Sequence, residues 1–125
     1  MASREWKQWC RGQENIVLND DCVVVILGGR HCRVEVVDAG EAYELTGIAA
    51  RRAALQSIPD FYLRAWRRNR TTRLVGFRVD PRGRLVGEAW VPKAGLSQEE
   101  FLHYVRHVAS ECDRFGFILT GKVHE

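Results

Sequence analysis

Apolar and polar positions alternate along two hairpin-like stretches of the chain and recur at helical spacing in the segments around them. Cys22 to Leu27 is a strongly β-branched run entered through Asn19-Asp20-Asp21. Gly28-Gly29 follows, a two-residue loop suited to a type I′ or II′ turn. It leads into a second strand from about Arg30 to Asp38. Asp38-Ala39-Gly40-Glu41 is the next turn, and a third strand runs from about Glu41 to Ile48. Pairing Leu27 with Arg30, and Asp38 with Glu41, gathers Val23, Val25, Leu27, Cys32, Val34, Val36, Tyr43 and Leu45 on one face. The other face receives His31, Arg33, Glu35, Glu44 and Thr46. A slip of one residue would scramble this separation. Val24, Ile26 and Val37 also point to the polar side, so another element or a second chain is expected to cover Val24 and Ile26.

Helical spacing appears first in Trp6, Trp9 and Cys10, on one face of a short helix over residues 3 to 11 that Ser3 can cap and Gly12 ends. Ala49 to Ser57 is helix-compatible, with Arg51 and Arg52 outward, until Pro59 interrupts it. Asp60 can cap a second piece in which Phe61, Tyr62, Ala65 and Trp66 form one stripe. Arg64, Arg67 and Arg68 face away from that stripe, and Asn69 ends the helix. A second hairpin, Leu74 to Val79 and Arg84 to Val91, turns at Asp80-Pro81-Arg82-Gly83. A three-residue loop with a glycine bulge pairs Asp80 with Arg84 and collects Val75, Phe77, Val79, Leu85, Ala89 and Val91 on one face. A four-residue loop would bring Glu88 into it. Ser97-Gln98-Glu99-Glu100 is a capping box. It opens a helix to about Arg114 whose broad apolar face includes Phe101, Val105, Val108, Cys112 and Phe115, and Phe117 to Leu119 follow as an apolar tail.

The order is α-βββ-α-ββ-α. This predicts an α+β fold, an antiparallel sheet of about five strands (a three-strand meander plus a hairpin) with three helices. At 125 residues, 46% apolar and 28% charged, the chain is expected to form a single domain over 1-125. A homodimer would add apolar burial at this size. No run approaches the roughly 18 apolar residues of a membrane span. Arg4, Glu5, Lys7 and Arg11 interrupt the first positions, unlike a signal peptide, so a cytoplasmic location is expected. The four cysteines, Cys10, Cys22, Cys32 and Cys112, form no CxxC pair. Cys22 and Cys32 fall on opposite faces of their hairpin, and all four read as reduced, small hydrophobes.

The net charge of +3 hides a strong polarity. Between Arg51 and Arg84 ten arginines meet only Asp60 and Asp80, a net +8, while the rest of the chain is −5. Trp66 stands among Arg64, Arg67, Arg68 and Arg70. Guanidinium beside an aromatic ring suits bidentate pairing with an acidic protein, and equally phosphate contact with base stacking. The bland alternative folds Asp20, Asp21, Glu35, Glu44 or Glu88 against the arginines. Glu99, His103, His107 and Glu111 recur every four residues on the last helix. Without HExxH they read as a solvated stripe of Glu–His pairs rather than a metal site. Cys32 and Cys112 are expected to point inward, so no exposed nucleophile stands beside a base. No catalytic residue, metal or cofactor is assigned.

The stretch Asn69-Arg70-Thr71-Thr72-Arg73-Leu74-Val75-Gly76-Phe77-Arg78-Val79 resembles the central signature of YbjN-domain proteins. So do Gly95-Leu96-Ser97 with Glu100-Phe101 and Tyr104-Val105, then Ala109-Ser110-Glu111-Cys112-Asp113, then Leu119-Thr120-Gly121. The similarity runs from about Val17 to Lys122. It implies a fold like that of type III secretion chaperones, small α+β dimers that bind partner proteins, and a bacterial regulatory or chaperone-like role without enzymatic activity. The family tail often continues with an acidic residue, where this chain has Lys122-Val123-His124-Glu125. The expectation is therefore a non-enzymatic, homodimeric protein-binding module. Arg64, Trp66, Arg67, Arg68 and Arg70 would contact an acidic partner, and Val24 and Ile26 would form a dimer or covered surface. The alternative is a nucleic-acid or anionic-ligand binder using the arginines of 64–73.

Overall fold

The computed structural model describes residues 5–121. In chain order these form α1 (Glu5–Cys10), β1 (Ile16–Asn19), β2 (Cys22–Leu27), β3 (Arg30–Asp38), β4 (Ala42–Ala50), α2 (Arg52–Leu55), α3 (Phe61–Thr71), β5 (Gly76–Val79), β6 (Leu85–Pro92) and α4 (Gln98–Thr120). The strands make one antiparallel sheet in the order β1-β2-β3-β4-β6-β5. The α+β class and the two hairpins are as expected, with one more strand and one more helix. Ser3 as a cap, and the Lys122 to Glu125 tail, lie outside the described residues.

The added strand is β1. Asn19-Asp20-Asp21 is indeed a turn, but it closes a first hairpin with Asn19 opposite Cys22, and Asp20 sits at φ 53°. A four-residue strand with three apolar residues carries too little periodicity to be separated from loop by pattern alone. Leu27 pairs with Arg30 across Gly28 and Gly29, both at positive φ as a type I′ turn requires. The β3–β4 register differs by two residues from the expected one: Asp38 faces Tyr43, not Glu41. Gly40, at φ 89°, takes the first central position of the turn, and its N–H donates to the Asp38 carboxylate at 3.0 Å. A shift of two preserves every side chain's face, so Tyr43 and Leu45 still point inward.

β4 runs on to Ala50, and the helix expected over Ala49 to Ser57 shrinks to α2, because Ala49 and Ala50 are fully buried in the sheet. The last helix continues past Arg114 to Thr120 and stops at Gly121 in the left-handed conformation. Gly116 does not break it, since it is buried where α4 crosses the sheet. Ser97 and Glu100 satisfy each other's backbone amides at 3.1 and 3.2 Å, as a capping box should. The core lies between α4 and the inner sheet face. Phe101 is its aromatic hub, with Trp6, Trp9 and Tyr43 at centroid distances of 6.2, 5.5 and 5.4 Å.

The β5–β6 hairpin adopts the bulged register, with Asp80 N–H donating to Arg84 C=O at 2.9 Å and Val79 opposite Leu85. Asp80 organises the turn by accepting from the Arg82 and Arg84 amides at 3.0 and 2.9 Å and from Arg84 Nε at 2.8 Å. Burial pushes the Asp80 carboxyl up, but Arg84 and these amides outweigh it and hold it below the usual carboxylate range. A group lowered on folding lends stability above its unfolded value, and that stability is lost as pH falls through its folded value. Stability in urea should therefore fall as pH drops below about 4, and Asp80→Asn should flatten that decline. An unchanged acid limb in the variant would count against this role.

Candidate partner-binding surface

Helix α3 does not present the face its stripe suggests. Ala65 is buried and Phe61 half-buried against the core, but Tyr62 and Trp66 are 65% and 56% exposed. Arg68 turns inward instead of away. Its Nη2 meets Glu111 Oε2 at 2.8 Å, and its guanidinium lies 5.5 Å from the Phe115 ring centroid. The reason is a partner on α4: Glu111, on the inner edge of the histidine stripe, gives this arginine a counter-ion that a solvent-facing position would lack. Asn69, one residue on, bonds β5 rather than ending the helix. Arg64 donates to the Ile118 carbonyl at 3.2 Å, joining α3 to the last turn of α4.

The outer side of α3 therefore carries Tyr62, Leu63, Trp66, Arg67 and Arg70, with the Arg70 guanidinium 5.1 Å from the Trp66 ring centroid. Across the Arg64 contact, Phe117 and Ile118 are about half exposed on α4. They line a groove of about 550 Å³ between α4 and the β2–β3 turn, whose other walls include Leu27, Gly28, Ser110 and Arg114. Arg30 anchors the turn to Asp113 through bonds of 3.1 and 2.6 Å. Five of the large exposed apolar side chains thus lie along these two helices, beside arginines. Sequence reasoning missed Phe117 and Ile118 because α4 was ended too early. Carried past Gly116 at helical spacing, Phe115 and Leu119 take the inner side and leave these two outside.

The arginine-rich segment is only partly neutralised. Glu88 pairs with Arg78 at 2.9 Å and Asp80 with Arg84 at 2.7 Å, alongside Arg68 with Glu111. Of the other acids expected to fold against it, Asp21 pairs instead with Lys7. Arg52, Arg67, Arg73 and Arg82 make no ion pair among the described residues.

Val24 and Ile26 are half-buried on the outer sheet face, with the exposed Val17 opposite Val24 on β1, while Val37 and Trp90 are exposed farther along the same face. Helix α4 packs on the other face, through Phe101, Val105 and Val108. His103 and His107 stack at 5.9 Å, and His107 Nε2 lies 3.0 Å from the Arg73 carbonyl. Among the described residues no three of His, Cys, Asp and Glu converge as metal ligands. All four thiols are free. Burial pushes Cys10 and Cys32 up to about 11 and Cys112 up to about 12, so these three are neutral thiols and poor nucleophiles. No helix among the described residues is long and apolar enough to cross a membrane.

The same fold recurs in chains of several solved complexes. A chain of the ExoU–SpcU heterodimeric complex from the type III secretion system of Pseudomonas aeruginosa is similar over 98% of this chain and 100% of its own, with TM-score 0.60 and 14% identity. A chain of the ExsC–ExsE complex is similar over 94% and 96%, with TM-score 0.58 and 12% identity. A chain of the complex between the Yersinia pestis type III secretion chaperone SycH and a fragment of YscM2 follows at 92% and 99%, with TM-score 0.55 and 11% identity. Among curated proteins no sequence matches this chain. The sequence profile of YbjN, described as a "putative bacterial sensory transduction regulator", matches residues 12–117, and the chain belongs to that family.

Proposed function

We propose that this chain is a non-enzymatic, cytoplasmic, chaperone-like or regulatory module that binds an acidic partner protein and acts as a homodimer of one 125-residue domain. The observation that carries the reading is the α3–α4 surface, where exposed aromatic and aliphatic side chains stand beside Arg67 and Arg70, which make no ion pair among the described residues. Such a surface suits a partner segment with both apolar anchors and carboxylates. Apolar burial supplies affinity, and guanidinium forks supply steering and register. Trp66, Arg67 and Arg70 are the contacts, with Arg64 at the seam to α4. Arg68 serves by holding α3 in place. The similar folds come from complexes of two proteins, one of them a type III secretion chaperone with a fragment of YscM2, which supports a protein partner. The outer sheet face around Val24 and Ile26 is the surface proposed for the second copy.

Capture from the native cytoplasm, followed by reconstitution with the purified partner, tests the binding claim. Arg67→Glu combined with Arg70→Glu should abolish the reconstituted complex, while Arg82→Glu on the β5–β6 turn should leave it intact. Equal binding by all three chains would sink the proposed surface. Light scattering that finds a monomer at high micromolar concentration would remove the dimer. The Arg70–Trp66 pair keeps nucleic acid as a second reading, which requires oligonucleotide binding that weakens steeply with salt. A gel shift with no binding at low salt would end it.

A further inference from the structure

Helix α4 presents two different faces. Its inner side, from Phe101 to Leu119, packs on the sheet. Ser110, Asp113, Arg114, Phe117 and Ile118 line the groove against the β2–β3 turn instead. They recur at i, i+3, i+4, i+7 and i+8, which is one side of a helix. Across from them, Gly28 and Gly29 bring no side chain to the turn. A Cβ added at Gly28 would have Arg30 Nη1 as its nearest contact, at 3.6 Å. The resulting space of about 550 Å³ falls within the size range of small-molecule sites.

The polar groups of this groove gather at one end. Arg30 commits Nε and Nη2 to Asp113, at 3.1 and 2.6 Å. Its Nη1, beside Gly28, donates to no group among the described residues. Arg114 is exposed and makes no ion pair among the described residues. Ser110 adds a hydroxyl to the same wall. Arg30 and Asp113 cancel, so the lining keeps the single positive charge of Arg114. The other end is apolar, with Phe117 and Ile118 about half exposed. Ser110 and Phe117 are about 10 Å apart along the axis, at about 1.5 Å per residue. Charge and apolar surface are therefore separated along one groove.

That separation selects the occupant. A monoanion balances the lining charge, and a planar carboxylate matches guanidinium donors in geometry. A phosphate monoester carries close to two negative charges and overshoots. An apolar chain attached to the carboxylate covers the other end. We infer that this groove is a small-molecule site for an amphipathic, medium-chain carboxylate. Its carboxylate is held by Arg114, Arg30 Nη1 and Ser110 Oγ, and its chain lies along Leu27, Phe117 and Ile118. Such an occupant covers two residues of the partner surface, but the inference concerns the chain alone and does not depend on the partner proposed above.

An amide NMR titration of the full chain tests it, with decanoate as probe, decanol as its uncharged counterpart, and both below micelle-forming concentrations. Decanoate should give saturable shifts centred on Gly28, Ser110, Arg114 and Phe117, and decanol should bind about tenfold more weakly. Arg114→Gln should weaken decanoate about tenfold and leave decanol unchanged. Ser110→Ala should weaken decanoate by a smaller factor and serves if the glutamine chain does not fold. Arg82→Gln removes the same charge from the β5–β6 turn and should leave both affinities as they are. Shifts that fail to saturate, or that centre on Trp90 or α3, would overturn the site. So would a loss with Arg82→Gln equal to that with Arg114→Gln, which would reduce binding to net charge. Equal affinity for acid and alcohol would overturn the carboxylate as the recognised group.

Discussion

Gly87→Ala is expected to lower the unfolding free energy by about 2–3 kcal/mol, the upper range for overpacking a rigid core. A Cβ at Gly87 would lie 2.6 Å from Cys112 Sγ, 3.0 Å from Phe77 Cε1 and 3.1 Å from Val75 Cγ1. None of these is the free end of a long side chain, and Cys112 is itself fully buried. The glycine therefore sets how closely α4 approaches β6. Gly47 does the same on β4, where an added Cβ would meet the same sulfur at 3.1 Å. Raising α4 off the sheet would also displace Asp113 and Phe117, and with them the groove against the β2–β3 turn. Cys112→Ala removes the closest of the three contacts. In a double-mutant cycle by urea unfolding, Gly87→Ala should cost about 1 kcal/mol less in the Cys112→Ala background. Gly87→Ala with native stability would mean that α4 has slack here.

The distribution of apolar side chains made most of the sheet legible. Val23, Val25, Val34, Leu45, Leu85 and Val91 are all buried on one face as their alternation requires. What parity cannot see is a shift of two, which is how the β3–β4 turn was misplaced without moving one side chain to the wrong face. The face of α3 was misread for another reason. Tyr62 and Trp66 are apolar at helical spacing with Ala65, and a single-sequence pattern assigns such a stripe to the core. The choice between Trp66 and Arg68 as the inner residue is made by groups more than 40 residues away, Glu111 and Phe115 on α4. No local signal reports them. The charge imbalance was legible as a count but not as a map, because among the described residues Arg68, Arg78 and Arg84 are paired while Arg67 and Arg73 are not. The groove needed the true end of α4, which the interior Gly116 concealed.

Arg67 and Arg68 are neighbours in sequence and should behave as opposites. The Arg68–Glu111 pair has side chains 22% and 15% exposed, between the surface pairs that contribute little and the buried pairs whose rupture costs several kcal/mol. Arg68→Ala leaves Glu111 half-enclosed without its counter-ion and strips the cation from the Phe115 ring. It should cost about 2 kcal/mol in urea unfolding. Arg67→Ala, on the exposed side and without an ion pair among the described residues, should change stability by less than about 0.5 kcal/mol. Binding should show the reverse weighting. Arg67→Ala should weaken the partner complex directly, whereas Arg68→Met, which refills the same space without charge, should recover stability and bind as the native chain does. If instead Arg68→Ala leaves stability unchanged and abolishes binding, Arg68 contacts the partner, and α3 must turn its inner side outward to bind.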